Sequence, residues 1–227
     1  MSLPPILAKL PHCAFVSHED ANGGQMITID RMRAVAEDNM RRTADRPFSY
    51  ASNVYTERPP TGGLPAGRMD VYFNRINQSA WIYDPLYQAY LRQVDDGDVS
   101  RIGVLHSDVD RLTGRQLHFE NVILLMADTE VITRTNLDIH LEGGNTGPAT
   151  LFRDGRLYDI RWSTRGGEYE KKTGVRRPVQ FIDADGNPVP LRPGSTWVIL
   201  VTPFSSLEPT ADGTYQIRYG PPAGEAQ

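Results

Sequence analysis

Residues 117–125 have the sequence LHFENVILL, and this stretch decides the fold. Polar and apolar side chains mix at its beginning, whereas residues 122–125 are apolar without interruption. A strand whose successive side chains are all apolar is buried on both faces of its sheet. The stretch therefore predicts a buried central strand, which needs partner strands from elsewhere in the chain.

The chain that follows supplies candidate partners for this strand. Residues 149–162 predict a hairpin, because Asp154-Gly155 lies between two apolar segments and readily adopts the positive φ angles of a tight turn. Residues 179–191 predict a second hairpin around another aspartate- and glycine-containing turn. Residues 196–201, TWVILV, are a continuous apolar run and predict a further buried strand.

The chain before the central strand has apolar residues at every second position, which is the period of a half-buried strand. Residues 69–73 alternate in this way, and two aromatic segments follow at residues 81–83 and 87–91. Asp84-Pro85 lies between these two segments. A second set of strands joined by a turn is therefore predicted here.

One segment has the period of a helix instead. Over residues 29–42 the apolar side chains recur every three or four positions, which predicts an amphipathic helix near the N-terminus. Together with the many short strands, this helix indicates an α+β fold class with a predominantly antiparallel β-sheet. We expect a helix-containing segment at residues 1–67, a β-rich domain at residues 68–203 and a tail at residues 204–227.

Composition and charge exclude several classes of protein. The 227 residues carry a net charge of −4. Because binding to nucleic acid needs a concentrated basic surface, we expect no nucleic-acid partner. Cys13 is the single cysteine, which excludes an internal disulfide. No apolar run approaches the ~20 residues that cross a bilayer, so no transmembrane segment is predicted.

Two groups of side chains are candidates for a ligand site. Aromatic residues crowd the two segments around Asp84, where they could stack on sugar rings or on a peptide. A histidine and two acids lie upstream of the central strand and could line a polar site. Packing in the core and solvation in a loop are the structural alternatives. The candidates are Trp81, Tyr83, Tyr87, Tyr90, His106, Asp108 and Asp110.

No motif in the chain carries a recognisable catalytic or cofactor chemistry. There is no G-x-S-x-G turn for a nucleophilic serine, and no glycine-rich loop follows a strand and opens a helix. The acids around Asp108 do not have the spacing of the twelve-residue calcium loop. We therefore predict no catalytic residues, no metal site and no cofactor, and we favour a protein without enzymatic activity while keeping a hydrolase as the alternative.

Short motifs occur in a characteristic order along the β-rich part of the chain. They are Tyr83-Asp84, Tyr90-Leu-Arg92, Asp110-Arg-Leu-Thr-Gly-Arg-Gln-Leu117, Glu120-Asn-Val-Ile123, Gly147, Phe152-Arg-Asp-Gly155, Trp162, Phe181-Ile-Asp-Ala-Asp-Gly186 and Leu191-Arg-Pro-Gly-Ser-Thr-Trp-Val198. In this order and spacing, the motifs resemble the C-terminal domain of the YerB-like bacterial lipoproteins, a family of unknown function. The resemblance covers about residues 68–202, and residues 46–56 resemble the end of the family's N-terminal domain. Asp108 is a departure, because family members often have a histidine at that position.

This resemblance implies an extracytoplasmic protein that is anchored to the membrane as a lipoprotein in its full-length form. It also implies two domains, of which this chain holds mainly the second. The anchor and most of the N-terminal domain are therefore expected to lie outside this chain. The family offers no catalytic residues that could be carried over to it.

Three functions follow as hypotheses. The first is a non-catalytic module that binds a cell-wall component or an envelope protein. The second is an envelope hydrolase acting on a cell-wall polymer; His106, Asp108 and Asp110 would then converge in a pocket where burial raises the pKa of one carboxyl. The third is a structural half that forms a site only with the missing N-terminal domain, and that exposes a large apolar patch by itself.

Overall fold

The structure is a computed structural model, and it describes residues 16–17, 25–26, 29–42, 49, 53–133, 136–141, 144–164, 168–175 and 177–223. The helices in these ranges are α1 (Ile29–Arg42) and α2 (Glu168–Thr173). Neither of these described helices has the length and apolar character needed to cross a membrane. The first eight strands are β1 (Val16–Ser17), β2 (Gln25–Met26), β3 (Leu64–Pro65), β4 (Arg68–Asn74), β5 (Asn77–Asp84), β6 (Ala89–Val94), β7 (His106–Ser107) and β8 (His118–Phe119). The others are β9 (Asn121–Met126), β10 (Thr129–Thr133), β11 (Asn136–Ile139), β12 (Thr146–Arg153), β13 (Arg156–Ser163), β14 (Gln180–Ile182), β15 (Thr196–Val201), β16 (Ser206–Ala211) and β17 (Thr214–Arg218).

Most of the described strands belong to two sheets. The first sheet has the order β14-β13-β12-β9-β15, with β3 beside β13. The second sheet has the order β16-β17-β4-β5-β6-β7, with β8 also beside β6. Within these sheets, neighbouring strands are antiparallel except for two parallel pairs, β9 with β15 and β17 with β4. The predictions of a strand-rich chain with mainly antiparallel pairing and of a helix at residues 29–42 are confirmed.

The core lies between the two sheets. Met69, Trp81 and Tyr90 of the second sheet pack in one cluster with Leu124 and Phe152 of the first sheet, and all five side chains are buried. Burying an apolar side chain of this size stabilises the fold by about 1.5–3 kcal/mol relative to leaving it in water. The two sheets are therefore held together by their facing side chains, as in other face-to-face packings.

The opposite face of the first sheet is buried as well. Ile123 and Leu125 of β9 point to this face, where they pack with Leu151, Trp162 and Leu191 in a second cluster. Residues 121–125 are consequently buried at every position, between β12 on one side and β15 on the other. The predicted buried central strand is confirmed.

The stretch 117–125 nevertheless forms two strands rather than one. β8 pairs with β6 in the second sheet, whereas β9 belongs to the first sheet, so the chain changes sheets at Glu120. The Glu120 carboxylate accepts a hydrogen bond from the Ser195 amide at 2.5 Å. The Asn121 side chain bonds the backbone of Arg192 in both directions, at 2.8 Å each. These two polar side chains fix the crossing point.

The expected tail also contributes to the second sheet. Residues 206–211 and 214–218 form β16 and β17, and β17 pairs in parallel with β4. Ile217 is completely buried in the core between the sheets. Near the other predicted boundary, β3 pairs with β13 and Ala66 is buried. Strands therefore continue past both ends of the range 68–203. They do so because strands that are distant in sequence pair with them.

A fully buried arginine joins the segment before β3 to the first sheet. Arg153, the last residue of β12, has no exposed side-chain surface. Its Nη2 atom donates to the carbonyl oxygens of Thr56 and Glu57, at 3.2 Å each. Its Nη1 atom donates to Pro190 O at 3.0 Å, and its Nε atom donates to the Asp154 carboxylate at 2.7 Å. One side chain thus connects three separate segments.

Candidate functional site

The four aromatic candidates occupy different environments. Trp81 and Tyr90 are buried in the core, and the Tyr90 hydroxyl donates to Ala66 O at 2.8 Å. Tyr83 is partly buried, with its ring centre 5.3 Å from that of Tyr90. Tyr87, which lies in the turn between β5 and β6, is 62% exposed. Of the four, Tyr87 is the one open to a ligand.

The histidine and the two acids lie along one edge of the second sheet and do not converge. The Nδ1 atom of the exposed His106 is 2.6 Å from Val94 O, and Asp108 forms an ion pair with Arg92. Asp110 begins a turn, where it accepts hydrogen bonds from the Thr113 hydroxyl at 2.6 Å and from the backbone at 3.1 Å. Across the described residues, no group of three or more His, Cys, Asp and Glu side chains could hold a metal ion.

The electrostatics of Asp110 do not favour the hydrolase hypothesis. The hydrogen bond from the Thr113 hydroxyl, followed by that from the Leu112 amide, lowers the pKa of Asp110 below its ordinary value. A general acid needs the opposite shift, which burial would produce. The pKa shift of Asp110 is therefore the reverse of the one that a general acid at this position would need.

A cavity of about 400 Å³ opens beside Tyr87. The rings of Tyr87 and His118 form one wall, with their centres 5.7 Å apart and their planes inclined by 38°. Leu91 of β6 lies opposite His118 of β8 in the pairing of these strands. The volume falls within the range of small-molecule sites, which are mostly apolar with a few oriented polar groups. The lining residues are Tyr87, Leu91, Arg115, Gln116 and His118.

The polar groups of this cavity are mainly hydrogen-bond donors and positive charge. Arg115 is exposed, and Gln116 is held in place because its side-chain amide donates to Arg92 O at 2.9 Å. Nε2 of His118 lies 4.0 Å from the Glu120 carboxylate. No carboxylate is among the lining residues. We name this cavity the Tyr87 cavity.

Arg92, a residue of β6, holds the segment of residues 116–117 beside the Tyr87 cavity. Its guanidinium lies over the ring of Trp197 at 4.7 Å and over that of Trp81 at 5.6 Å, and it is paired with Asp108. The backbone of Arg92 accepts from the Asp108 amide at 3.1 Å and donates to Leu117 O at 2.9 Å. Trp81 and Asp108 therefore position the wall from behind and do not line the cavity.

The turn that begins at Asp110 presents Arg115 at the cavity rim. Gly114 has a φ angle of +68°, a conformation that glycine adopts without steric cost, and its amide donates to Asp110 O at 2.7 Å. The chain then returns antiparallel, with Gln116 bridged to Val109 and the Asp110 amide donating to Arg115 O at 2.8 Å. The motif D-x-x-T-G thus positions Arg115 beside the cavity through its turn geometry.

We expect Asp108→Asn to lower the free energy of unfolding by about 1–2 kcal/mol, because it leaves a half-buried arginine without its countercharge. The matched control is Asp96→Asn, which breaks the more exposed pair with Arg101. That change should cost less than about 1 kcal/mol, as is usual for surface ion pairs. Urea denaturation of both variants measures the difference. Equal losses of unfolding free energy would show that the ion pair between Asp108 and Arg92 stabilises the fold no more than an exposed ion pair does.

Comparison with known proteins identifies the family. A model described as "Protein of unknown function (DUF3048) C-terminal domain" matches residues 69–198. The fold is similar to the crystal structure of the YerB protein from Bacillus subtilis, with a TM-score of 0.51 and 20% sequence identity. The match covers 82% of this chain and 56% of that chain, so this chain spans little more than half the length of the YerB protein. No curated protein matches. The resemblance inferred from the motifs is confirmed, and the chain belongs to the DUF3048 family of unknown function, with the family's C-terminal domain at residues 69–198.

Proposed function

We propose that the domain is a non-catalytic binding module of the bacterial cell envelope, and that its ligand occupies the Tyr87 cavity. The proposal rests on the exposed ring pair of Tyr87 and His118, which lies beside the apolar side chain of Leu91. The other lining residues, Arg115 and Gln116, supply hydrogen-bond donors. Tyr87 is 62% exposed, so its ring contributes little to the core and is available to a partner. Exposed aromatic rings in concave sites are typical anchors for ligands.

A saccharide fits the chemistry of this cavity. Sugar rings have an apolar C–H face, which can pack on the rings of Tyr87 and His118 and on Leu91. Their hydroxyl groups can accept hydrogen bonds from the Arg115 guanidinium, and the Gln116 amide can make further polar contacts. Sites for small ligands combine apolar contact area with a few such oriented polar groups.

The extracytoplasmic position that belongs to this proposal favours a cell-wall component as the ligand. The resemblance to YerB-like lipoproteins supports an extracytoplasmic position and a lipid anchor in the full-length protein. A domain held there meets wall polymers at high local concentration. We therefore include extracytoplasmic localisation and lipoprotein anchoring in the proposal.

One observation favours a second candidate function, docking of a partner domain. The hairpin of β10 and β11 belongs to neither sheet, and it exposes Ile132, Leu137 and Ile139. A two-stranded hairpin is marginally stable in water without further packing. A partner domain that covers this hairpin would match the third hypothesis, in which a site requires the N-terminal domain.

The test compares this chain with the full-length protein for binding to soluble peptidoglycan fragments by isothermal titration calorimetry. We expect this chain alone to bind, and Tyr87→Ala to weaken the affinity by roughly tenfold or more, since an aromatic anchor that becomes buried under its ligand contributes about 1.4 kcal/mol or more. Tyr55→Ala is the matched control, because Tyr55 is also exposed but lies outside the cavity. Binding by the full-length protein alone would favour the second candidate. Binding unaffected by Tyr87→Ala would contradict the proposed site.

A further inference from the structure

We infer that the Tyr87 cavity selects a saccharide that carries a carboxylate, an inference that rests on the proposed function and specifies its ligand. The cavity is lined by Arg115, Gln116 and His118 on its polar side, and by no acid. The chain as a whole has a net charge of −4. An anionic ligand is therefore repelled by the average surface and needs a local site of this kind.

Arg115 is the side chain that would contact the carboxylate. Among the described residues no ion pair involves Arg115, whereas Arg92, just behind it, is neutralised by Asp108. The Arg115 backbone is fixed by the turn, because its carbonyl accepts from the Asp110 amide at 2.8 Å. A guanidinium on a fixed turn can form two parallel hydrogen bonds to a carboxylate.

His118 is less suited to this role. Its Nε2 atom already faces Glu120 at 4.0 Å, and its ring packs against Tyr87. The Glu120 carboxylate is itself directed to the Ser195 amide, at 2.5 Å. His118 therefore acts as part of the aromatic wall, and the charge selection is assigned to Arg115.

The pairing of β6 argues against an extended peptide as the ligand. β6 is bonded to β5 along one edge and to β8 along the other, through Tyr90 with Phe119 and Leu91 with His118. A peptide that binds as an added strand needs a free strand edge. β6 offers none beside the cavity. Contact with β6 must therefore come from its side chains, such as Leu91, which suits a compact ring.

The experiment uses two disaccharides that differ in one group. The first joins N-acetylglucosamine to N-acetylmuramic acid, whose lactyl ether carries a carboxylate, and the second is chitobiose in its neutral N,N′-diacetylated form, which lacks the lactyl ether. Calorimetry should show the acidic disaccharide binding about tenfold tighter than chitobiose, since a charge-assisted hydrogen bond supplies the difference. This preference should shrink as salt is added.

Arg115→Gln should bring the two affinities within about twofold of each other, because it weakens binding of the acidic disaccharide much more than binding of chitobiose, whose hydroxyl groups the glutamine amide can still contact. Arg111→Gln is the control, because Arg111 is exposed on the same turn but does not line the cavity. A preference that survives Arg115→Gln, or equal binding of both sugars by the unmodified chain, would overturn the inference. If both sugars bind equally and Tyr87→Ala weakens both, the inference on charge fails and the proposed function stands. If neither sugar binds, both fail.

Discussion

Arg153→Met is expected to lower the free energy of unfolding by about 3–5 kcal/mol, the cost of breaking a buried charge network by removing one partner. Arg153 has no exposed side-chain surface. Its removal leaves the carbonyl oxygens of Thr56, Glu57 and Pro190 without their donor in a partly buried site. Asp154 keeps Arg192 as a partner, at 2.7 Å, so the carbonyl groups account for most of the loss.

Urea denaturation measures this effect, and Arg161→Met provides the matched control. Arg161 lies on β13, the hairpin partner of β12, and is exposed. Its replacement should change stability by less than about 0.5 kcal/mol, as is usual for surface substitutions. If both variants lose the same free energy, Arg153 does not connect the segment at residues 53–57 to the sheet in solution.

Gly147→Ala is expected to lower the free energy of unfolding by about 2–4 kcal/mol, because it combines overpacking with the loss of a hydrogen bond. A Cβ atom at Gly147 would lie 2.5 Å from Nε1 of Trp162 and 2.9 Å from Met126 O. These two atoms form a hydrogen bond with each other, at 2.6 Å. The added methyl group would therefore enter the space of that bond, against backbone that cannot move freely.

Gly67→Ala is the control for this variant. A Cβ atom there would find its nearest neighbour, Gly213 O, at 4.0 Å. The change should be close to neutral, since it adds no contact shorter than ordinary van der Waals distance. Thermal and urea unfolding of both variants compare the two sites. A Gly147→Ala protein as stable as Gly67→Ala would contradict the packing described for Trp162.

Local sequence patterns predicted the elements of this fold, whereas long-range pairing decided their arrangement. Asp154-Gly155 forms the predicted turn, with φ angles of +53° and +68°. The split of residues 117–125 at Glu120 could not be predicted, because it depends on β6 and β9 belonging to different sheets. The six-residue helix α2 has the polar sequence EYEKKT, so it lacks the apolar stripe from which a helix could be predicted.

Two further differences have the same origin. The sequence predicts a tail at residues 204–227, whereas residues 214–218 form the sheet strand β17 through its parallel partner β4, far away in sequence. The helical period located α1 correctly, yet Ile29, Met32 and Met40 are exposed in the described structure. Periodicity reports which residues share a face. It does not report what that face contacts.

The candidate site was predicted in part. Tyr87 was among the aromatic candidates, but sequence alone could not separate it from Trp81 and Tyr90, which face the core. Arg115 and His118 are not among the sequence candidates, because they join Tyr87 in lining the cavity only once the turn at residues 110–114 folds back onto β6. The D-x-x-T-G motif was the available signal, and its role in positioning Arg115 depends on that pairing.

The most direct test of the central claim, that the Tyr87 cavity is the binding site, is an NMR titration of the isotope-labelled chain with the acidic disaccharide. Chemical-shift changes should concentrate at Tyr87, Leu91 and residues 115–118. A second cavity, of about 250 Å³ beside His140 and Trp162, serves as the internal control and should remain unaffected. Shift changes centred on that second cavity, or a saturable interaction that leaves residues 115–118 unchanged, would show that the Tyr87 cavity is not the binding site.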